Sequence, residues 1–222
     1  MGYLSVHFSE EKRPTSTYPR LLCKYHIDRH FKDSYKTILD VGCGKGTHMR
    51  EFQKLGYDVT GVDRLEEARE LSPDLDIRIA DLECDPLPFS DNTFDVAFSK
   101  SCIEHIHRPD YHVSEIYRIL KPGGRLIIEV PDYAHHFNFY SDHTHVTPFV
   151  KGSLENILLI HEFKVIEVSS FVQIPFMWKM PWLSFLIYFF RCFPTTERPL
   201  KNYFTKWVWL SKSLGLIGVG EK

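Results

Sequence analysis

The sequence predicts an α/β protein whose parallel sheet is covered by helices on both faces, and three observations predict it. Short apolar runs of strand length alternate with helix-length runs between residues 37 and 130. Three glycines, Gly42, Gly44 and Gly46, stand between the first strand-like run and the first helix-like run. A carboxylate, Asp63, closes the second strand-like run nineteen residues after Gly44.

Taken in order, residues 1–35 read as a leading arm with one helix near Leu21 to Phe31, placed to lie over the site that follows. Strands are expected at Thr37–Val41, Asp58–Val62, Asp76–Ala80, Phe94–Ser99 and Arg125–Val130. Between them fall helices at Thr47–Leu55, Leu65–Leu71 and Tyr111–Leu120. The glycine turn joins the first pair. Lacking Cβ, glycine tolerates positive φ and lets a ligand approach the backbone, while the helix that follows aims its N–H groups at an acceptor. An acid at the position of Asp63 accepts the ribose hydroxyls of a bound nucleotide in such folds, and an Asp there also caps a helix. The dinucleotide fingerprint is not met, because Thr47 stands where it needs Gly or Ala. No Lys-Ser/Thr pair follows the glycines, which argues against nucleoside triphosphates.

Bulk properties narrow the class. A chain of 222 residues suits one α/β domain with an elaboration. A net charge of −2 makes no electrostatic case for nucleic acid. Five cysteines (23, 43, 84, 102 and 192) without a C-x-x-C pair point to a reducing compartment, and Ser9 to Arg13 interrupts any apolar leader. A cytoplasmic protein is expected.

The spacing G-x-G-x-G, led by Asp40, resembles the first motif of the class I S-adenosylmethionine (SAM)-dependent methyltransferases: Asp40-Val41-Gly42-Cys43-Gly44-Lys45-Gly46. Leu87 to Ala97 resembles the run into that family's fourth strand, and Ile103-Glu104-His105-Ile106 and Leu120-Lys121-Pro122-Gly123-Gly124-Arg125 resemble its later segments, in order, over about residues 36–170. The resemblance implies a Rossmann-like fold with a seven-stranded, mostly parallel sheet, its edge an antiparallel hairpin of Lys164–Ser169 and Leu214–Val219. The core is then 36–171, an aromatic helical insertion occupies 172–213, and 214–222 is the last strand. SAM is the implied cofactor, held by Asp40, Gly42, Cys43, Gly44, Gly46, Asp63, Asp81, Leu82 and Ser99, with Lys100 nearby. Two other readings stand beside methyl transfer: a SAM-binding scaffold without catalysis, and a different Rossmann-like nucleotide-dependent enzyme.

The acceptor is sought outside the cofactor motifs. Ser99-Lys100-Ser101-Cys102 replaces the Asn/Asp-Pro-Pro-aromatic run of amino-methylating DNA enzymes, and no Pro-Cys dipeptide supplies a cytosine-type thiol nucleophile. An oxygen of a glycan, a lipid-linked or another small molecule is expected. Seven of twelve histidines lie between residues 105 and 145, so base candidates crowd there. His105 follows Glu104, where some quinone O-methyltransferases hold a metal with Glu-x-x-Glu-His. Ser101 occupies the first position, so no metal is expected. Asp142-His143-Thr144-His145-Val146-Thr147-Pro148-Phe149 resembles methyltransferases of bacterial surface-glycan assembly. His145 is the first choice of base, with His143 and His105 as the other catalytic candidates and Asp142, Thr144 and Glu104 as acceptor contacts. Loop architecture is a second reading, and a metal site from the H-x-H spacing a third.

The insertion is aromatic and basic. Residues 172–213 contain all four tryptophans, 178, 182, 207 and 209. Leu183 to Phe190 is almost wholly apolar but too short to span a bilayer, which needs about 20 residues. Arg191 to Lys212 holds five basic residues against Glu197. Residues 181–212 therefore read as an element at a membrane surface, or as a lid packed on the domain or across a homodimer.

Overall fold

The structure, a computed structural model, describes residues 4–5, 16–135, 139–193, 204, 208, 211 and 214–222. Helix α1 (Tyr18–His30) leads into β1 (Thr37–Val41), α2 (Thr47–Lys54), β2 (Asp58–Asp63), α3 (Glu66–Leu71) and β3 (Ile77–Ile79). Then come β4 (Phe94–Lys100), α4 (Pro109–Ile119), β5 (Leu120–Pro131), α5 (Lys151–Ile160) and β6 (Lys164–Val172). Short helices α6 (Pro175–Lys179) and α7 (Phe185–Arg191) precede β7 (Leu214–Glu221).

The strand order is β3-β2-β1-β4-β5-β7-β6. The pairs from β3 to β5 are parallel, and β7 runs antiparallel to both β5 and β6. The expected seven strands and antiparallel edge hairpin are present. The order reverses between β1 and β4, and such a switch point opens a crevice at the strands' carboxyl ends.

Alternation along each strand splits the core in two. Leu39, Val41, Ala97, Leu126 and Ile128 face a layer made by α4 and α5 through Val113, Ile116, Leu154 and Leu158. Ile38, Val96, Phe98 and Ile127 face α1, α2 and α3 through Leu22, Met49, Phe52 and Ala68. Fully burying such aliphatic or aromatic side chains is worth roughly 1.5–3 kcal/mol each, which makes the sheet the rigid part of the molecule.

Three boundaries move by three residues or more. Helix α1 starts at Tyr18 because Pro19, with its fixed φ and missing N–H, suits a first turn. Strand β5 starts at Leu120: Phe94 pairs with Leu120 and Val96 with Arg125, and the extra residues bulge at Gly123, whose φ is 77°. Strand β6 runs to Val172, three residues past the expected Ser169.

The described part of the insertion packs on α1. Trp178 stacks on Phe171, tilts against Tyr25 and donates its indole N–H to the Val172 carbonyl. Ile174, Met177 and Ile187 form a small core of their own. Trp182, Phe185, Tyr188 and Phe189 are all more than half exposed. Trp207 and Trp209, Lys201, Lys206 and Lys212 lie outside the described residues.

Candidate cofactor and acceptor site

All three glycines of the turn adopt left-handed backbone, with φ of 71° at Gly42, 51° at Gly44 and 69° at Gly46. A side chain is strained there by about 1–2 kcal/mol per residue. Space forbids it as well. A Cβ on Gly42 would lie 2.5 Å from Cys102 Sγ, and one on Gly46 would lie 2.1 Å from Leu75 Cδ1. Gly42 and Cys43 both donate to the Val62 carbonyl, at 2.8 and 3.1 Å. Gly44 N–H donates to Asp63 Oδ2 at 2.8 Å, while Leu65 N–H donates to Asp63 Oδ1 at 2.9 Å. Asp63 thus clamps the turn to the end of β2 and turns the chain toward α3. Its capping role takes the form of an Asx turn, since Leu65 is the helix N-cap.

Asp40 is 2% exposed and its Oδ2 has no hydrogen-bond partner among the described residues. Burial, then the neighbouring Asp63 carboxylate, pushes its pKa up to about 7. Ser99 Oγ is likewise buried, beside the Cys102 thiol. Buried polar atoms of this kind call for a partner. Asp81 is exposed; its Oδ1 accepts from Glu83 N–H at 2.9 Å, and Leu82 beside it is buried. The donor set fits the ligand implied by the resemblance: the Asp40 and Asp63 carboxylates stand at a glycine turn at the switch point, which suits a sulfonium nucleoside better than a polyphosphate.

A second group of side chains lies just past β4. Ser101 has φ 53°, uncommon for a residue with a side chain, and its N–H donates to the Glu129 carbonyl at 2.8 Å. Cys102 rests against Gly42, so the loop that follows borders the glycine turn. Glu104 is 1% exposed, and neither carboxylate oxygen has a hydrogen-bond partner among the described residues. Burial pushes its pKa up to about 8. Its backbone carbonyl accepts from Val146 and Thr147 at 2.8 and 3.0 Å, stitching this loop to the 142–149 segment.

The imidazoles follow from that stitching. His105 and His145 meet edge to face with ring centroids 4.7 Å apart. His105 Nδ1 contacts Thr144 Oγ1 at 2.9 Å and the Thr144 carbonyl at 3.2 Å. The Thr144 hydroxyl donates to Asp142 Oδ1 at 2.7 Å, so it accepts from His105. His145 Nδ1 contacts the Phe139 carbonyl at 2.6 Å. These acceptors place the proton of each ring on Nδ1, so that Nε2 carries the lone pair. Burial, then His145, lowers the pKa of His105. Glu104, His105 and His145 offer ligand atoms within 4.8 Å of one another.

Of the three catalytic candidates, His145 and His105 converge and His143 does not. The His143 side chain is 92% exposed. Thr144 N–H donates to Asp142 Oδ1, an Asx turn that throws His143 outward, so the H-x-H alternation of a strand is absent. The expectation of no metal rested on Ser101, and the structure brings His145 to the Glu104–His105 pair from another loop.

A buried network went unread. Lys100 Nζ pairs with Glu129 Oε2 at 2.8 Å, and His26 Nε2 bonds the other oxygen. Lys100 thus belongs to an ion pair beneath α1. Burial alone would raise the Glu129 carboxyl, but the Lys100 ammonium and then His26 bring it down to about 2. The signal available was an acid inside an apolar strand, Leu126 to Val130, with a lysine ending the strand before it.

Comparison with known proteins agrees with this geometry. Residues 39–128 match the sequence model of the methyltransferase domain family. A sterol 4-C-methyltransferase of Caenorhabditis elegans is 36% identical over 98 residues, 40% of this chain and 29% of that protein. A demethylmenaquinone methyltransferase of Renibacterium salmoninarum is 32% identical over 95 residues, 41% of this chain and 39% of that protein. The chain thus spans well under half the length of these curated relatives. A SAM-dependent methyltransferase structure from Archaeoglobus fulgidus superposes over all of both chains with a TM-score of 0.66 at 18% identity, a likeness of fold.

Proposed function

We propose that this chain, whose residues 39–128 match the methyltransferase domain family and whose fold is like that of a SAM-dependent methyltransferase, transfers a methyl group from SAM to an oxygen of a small, amphipathic acceptor. One observation carries the reading. The glycine turn clamped by Asp63 touches, through Gly42 and Cys102, the loop on which Glu104, His105 and His145 converge. Cofactor cradle and acceptor-facing groups are therefore neighbours at one switch point.

When bound, SAM supplies a methyl group on a positive sulfur that leaves as a neutral thioether. Gly42, Gly44 and Gly46 let the backbone approach it, and Asp63 supplies carboxylate oxygens beside the turn. The rigid sheet ends hold the two reactants in line, an effect that reaches roughly 7–11 kcal/mol in well-oriented systems. His145 and His105, each held through Nδ1, can receive the acceptor's proton at Nε2, a step commonly worth about 10²–10⁴-fold. Thr144 and Asp142 position His105 rather than meeting the acceptor, and Glu104 closes the buried side.

The sterol and quinone named for the relatives are amphipathic, and a glycan or lipid-linked acceptor keeps that character. The exposed Trp182, Phe185, Tyr188 and Phe189 support a site working at a membrane surface, where such acceptors collect. Among the described residues no helix is long and apolar enough to cross a membrane.

Thermal shift with S-adenosylhomocysteine and with NAD separates this reading from its rivals, because a ligand selective for the folded state raises its melting temperature. A shift with the homocysteine compound alone supports it. A shift with NAD alone overturns it in favour of another Rossmann-like enzyme. Binding without methyl transfer to any extracted acceptor identifies a scaffold.

A further inference from the structure

We infer that Glu104, His105 and His145 form a binding site for a divalent transition-metal ion, with one carboxylate and two imidazoles as ligands. Their ligand atoms lie within 4.8 Å of one another, close enough for one ion to reach all three. The donor types suit iron, manganese, cobalt or zinc: two histidines and a carboxylate that leave coordination positions open are a recurrent arrangement for such ions, and imidazole disfavours magnesium.

Two further observations mark a built site. Glu104 is 1% exposed, and both carboxylate oxygens lack hydrogen-bond partners among the described residues. An anion so placed is costly unless a cation meets it. Both imidazoles, moreover, are already oriented as ligands. His105 Nδ1 is held by the Thr144 carbonyl and hydroxyl, and that hydroxyl is held by Asp142. His145 Nδ1 is held by the Phe139 carbonyl. Metal-bound histidines characteristically donate their other N–H to a carbonyl or a carboxylate-linked group, which fixes the ring and the tautomer. Here both do. Loop architecture alone explains the Nδ1 contacts but not a buried carboxylate, without a hydrogen-bond partner among the described residues, beside two imidazoles.

This deepens the reading of the cluster as acceptor-facing and rests on it for the ion's role. With an ion bound, the two imidazoles would serve as its ligands instead of as bases. Its open positions would take the acceptor hydroxyl and lower the pKa of that group, the proton would pass to water, and the oxygen would take the methyl group as the sulfur leaves as a neutral thioether. Binding itself is independent of that role.

The test uses the full chain, stripped with EDTA and dialysed, and titrated with Co²⁺ and with Zn²⁺ by calorimetry, with the visible spectrum of Co²⁺ as a second signal. One saturable site per chain is expected. His145→Ala should abolish it. Thr144→Val, which removes only the support of His105, should weaken it about 10–100-fold. His107→Ala, on the same loop but outside the cluster, should leave it unchanged. Retained binding of S-adenosylhomocysteine certifies each variant as folded, and Thr144→Val serves should His145→Ala fail that check. Absence of a saturable site, or equal affinity in wild type and the two cluster variants, overturns the inference. Metal binding without methyl transfer would leave the site standing and sink the catalytic reading. Methyl transfer that survives EDTA undiminished in a protein without the site would do the reverse.

Discussion

Asp63 carries two tasks on one carboxylate, and substitution separates them. It clamps Gly44 through Oδ2 and Leu65 through Oδ1 while standing where the cofactor ribose is expected. Hydrogen bonds to a charged group contribute roughly 1.5–3 kcal/mol each. Asp63→Ala should therefore weaken S-adenosylhomocysteine at least tenfold by calorimetry and lower the melting temperature even without ligand. Unchanged affinity would remove Asp63 from the site. Gly42→Ala tests the turn differently, because it combines a left-handed backbone with a collision against Cys102. It should cost about 1–3 kcal/mol in urea unfolding, the range for strained backbone. The types of these residues were legible from the sequence, since a glycine turn and a spaced acid are local signals. Convergence was not: His105 and His145 are forty residues apart, and their loops are joined by tertiary bonds such as those from Val146 and Thr147 to the Glu104 carbonyl and from His105 to Thr144. The same limit misled at His143, where an Asx turn replaced the expected alternation.

Among the elements, the tie between β4, β5 and α1 is the most exposed to test. Lys100, Glu129 and His26 form a buried network in which neither charge has water to replace its partner. Breaking such a pair costs roughly 3–5 kcal/mol, whereas removing both partners costs much less. Lys100→Met should destabilise by that amount, and Lys100→Met with Glu129→Gln should recover most of it. Additive losses would contradict the coupling. The pH dependence follows in sign. The Glu129 carboxyl lies below its ordinary value in the folded state, so its contribution is complete above about 4.5 and is lost as pH falls toward about 2. Glu129→Gln should flatten the stability slope in that acid range. The insertion makes a second element-scale prediction. Trp182, Phe185 and Phe189 face outward while Ile174, Met177 and Ile187 pack inward. Replacing those three aromatics with Ser should cut co-flotation with anionic liposomes and leave the melting temperature within a few degrees. Loss of a dimer in size-exclusion with no change in flotation would favour the protein-contact reading instead. Strand positions were legible because apolar runs ended at turn residues. The starts of α1 and β5 were not, because Pro19 precedes the apolar stripe and the Gly123 bulge hides the register.

Over the whole molecule, the sheet order places every cofactor candidate at one end of the strands and the polar cluster beside them. Methyl transfer to a small acceptor is the claim that arrangement supports. The direct measurement incubates the purified protein with methyl-labelled SAM and cell extract, then separates lipid, water-soluble, protein and nucleic-acid fractions. Label is expected in a lipid or small-molecule fraction, its rate of incorporation reduced about 10²–10⁴-fold by His145→Ala. Label confined to protein or nucleic acid, or none above a boiled control from a protein that still binds S-adenosylhomocysteine, would contradict it.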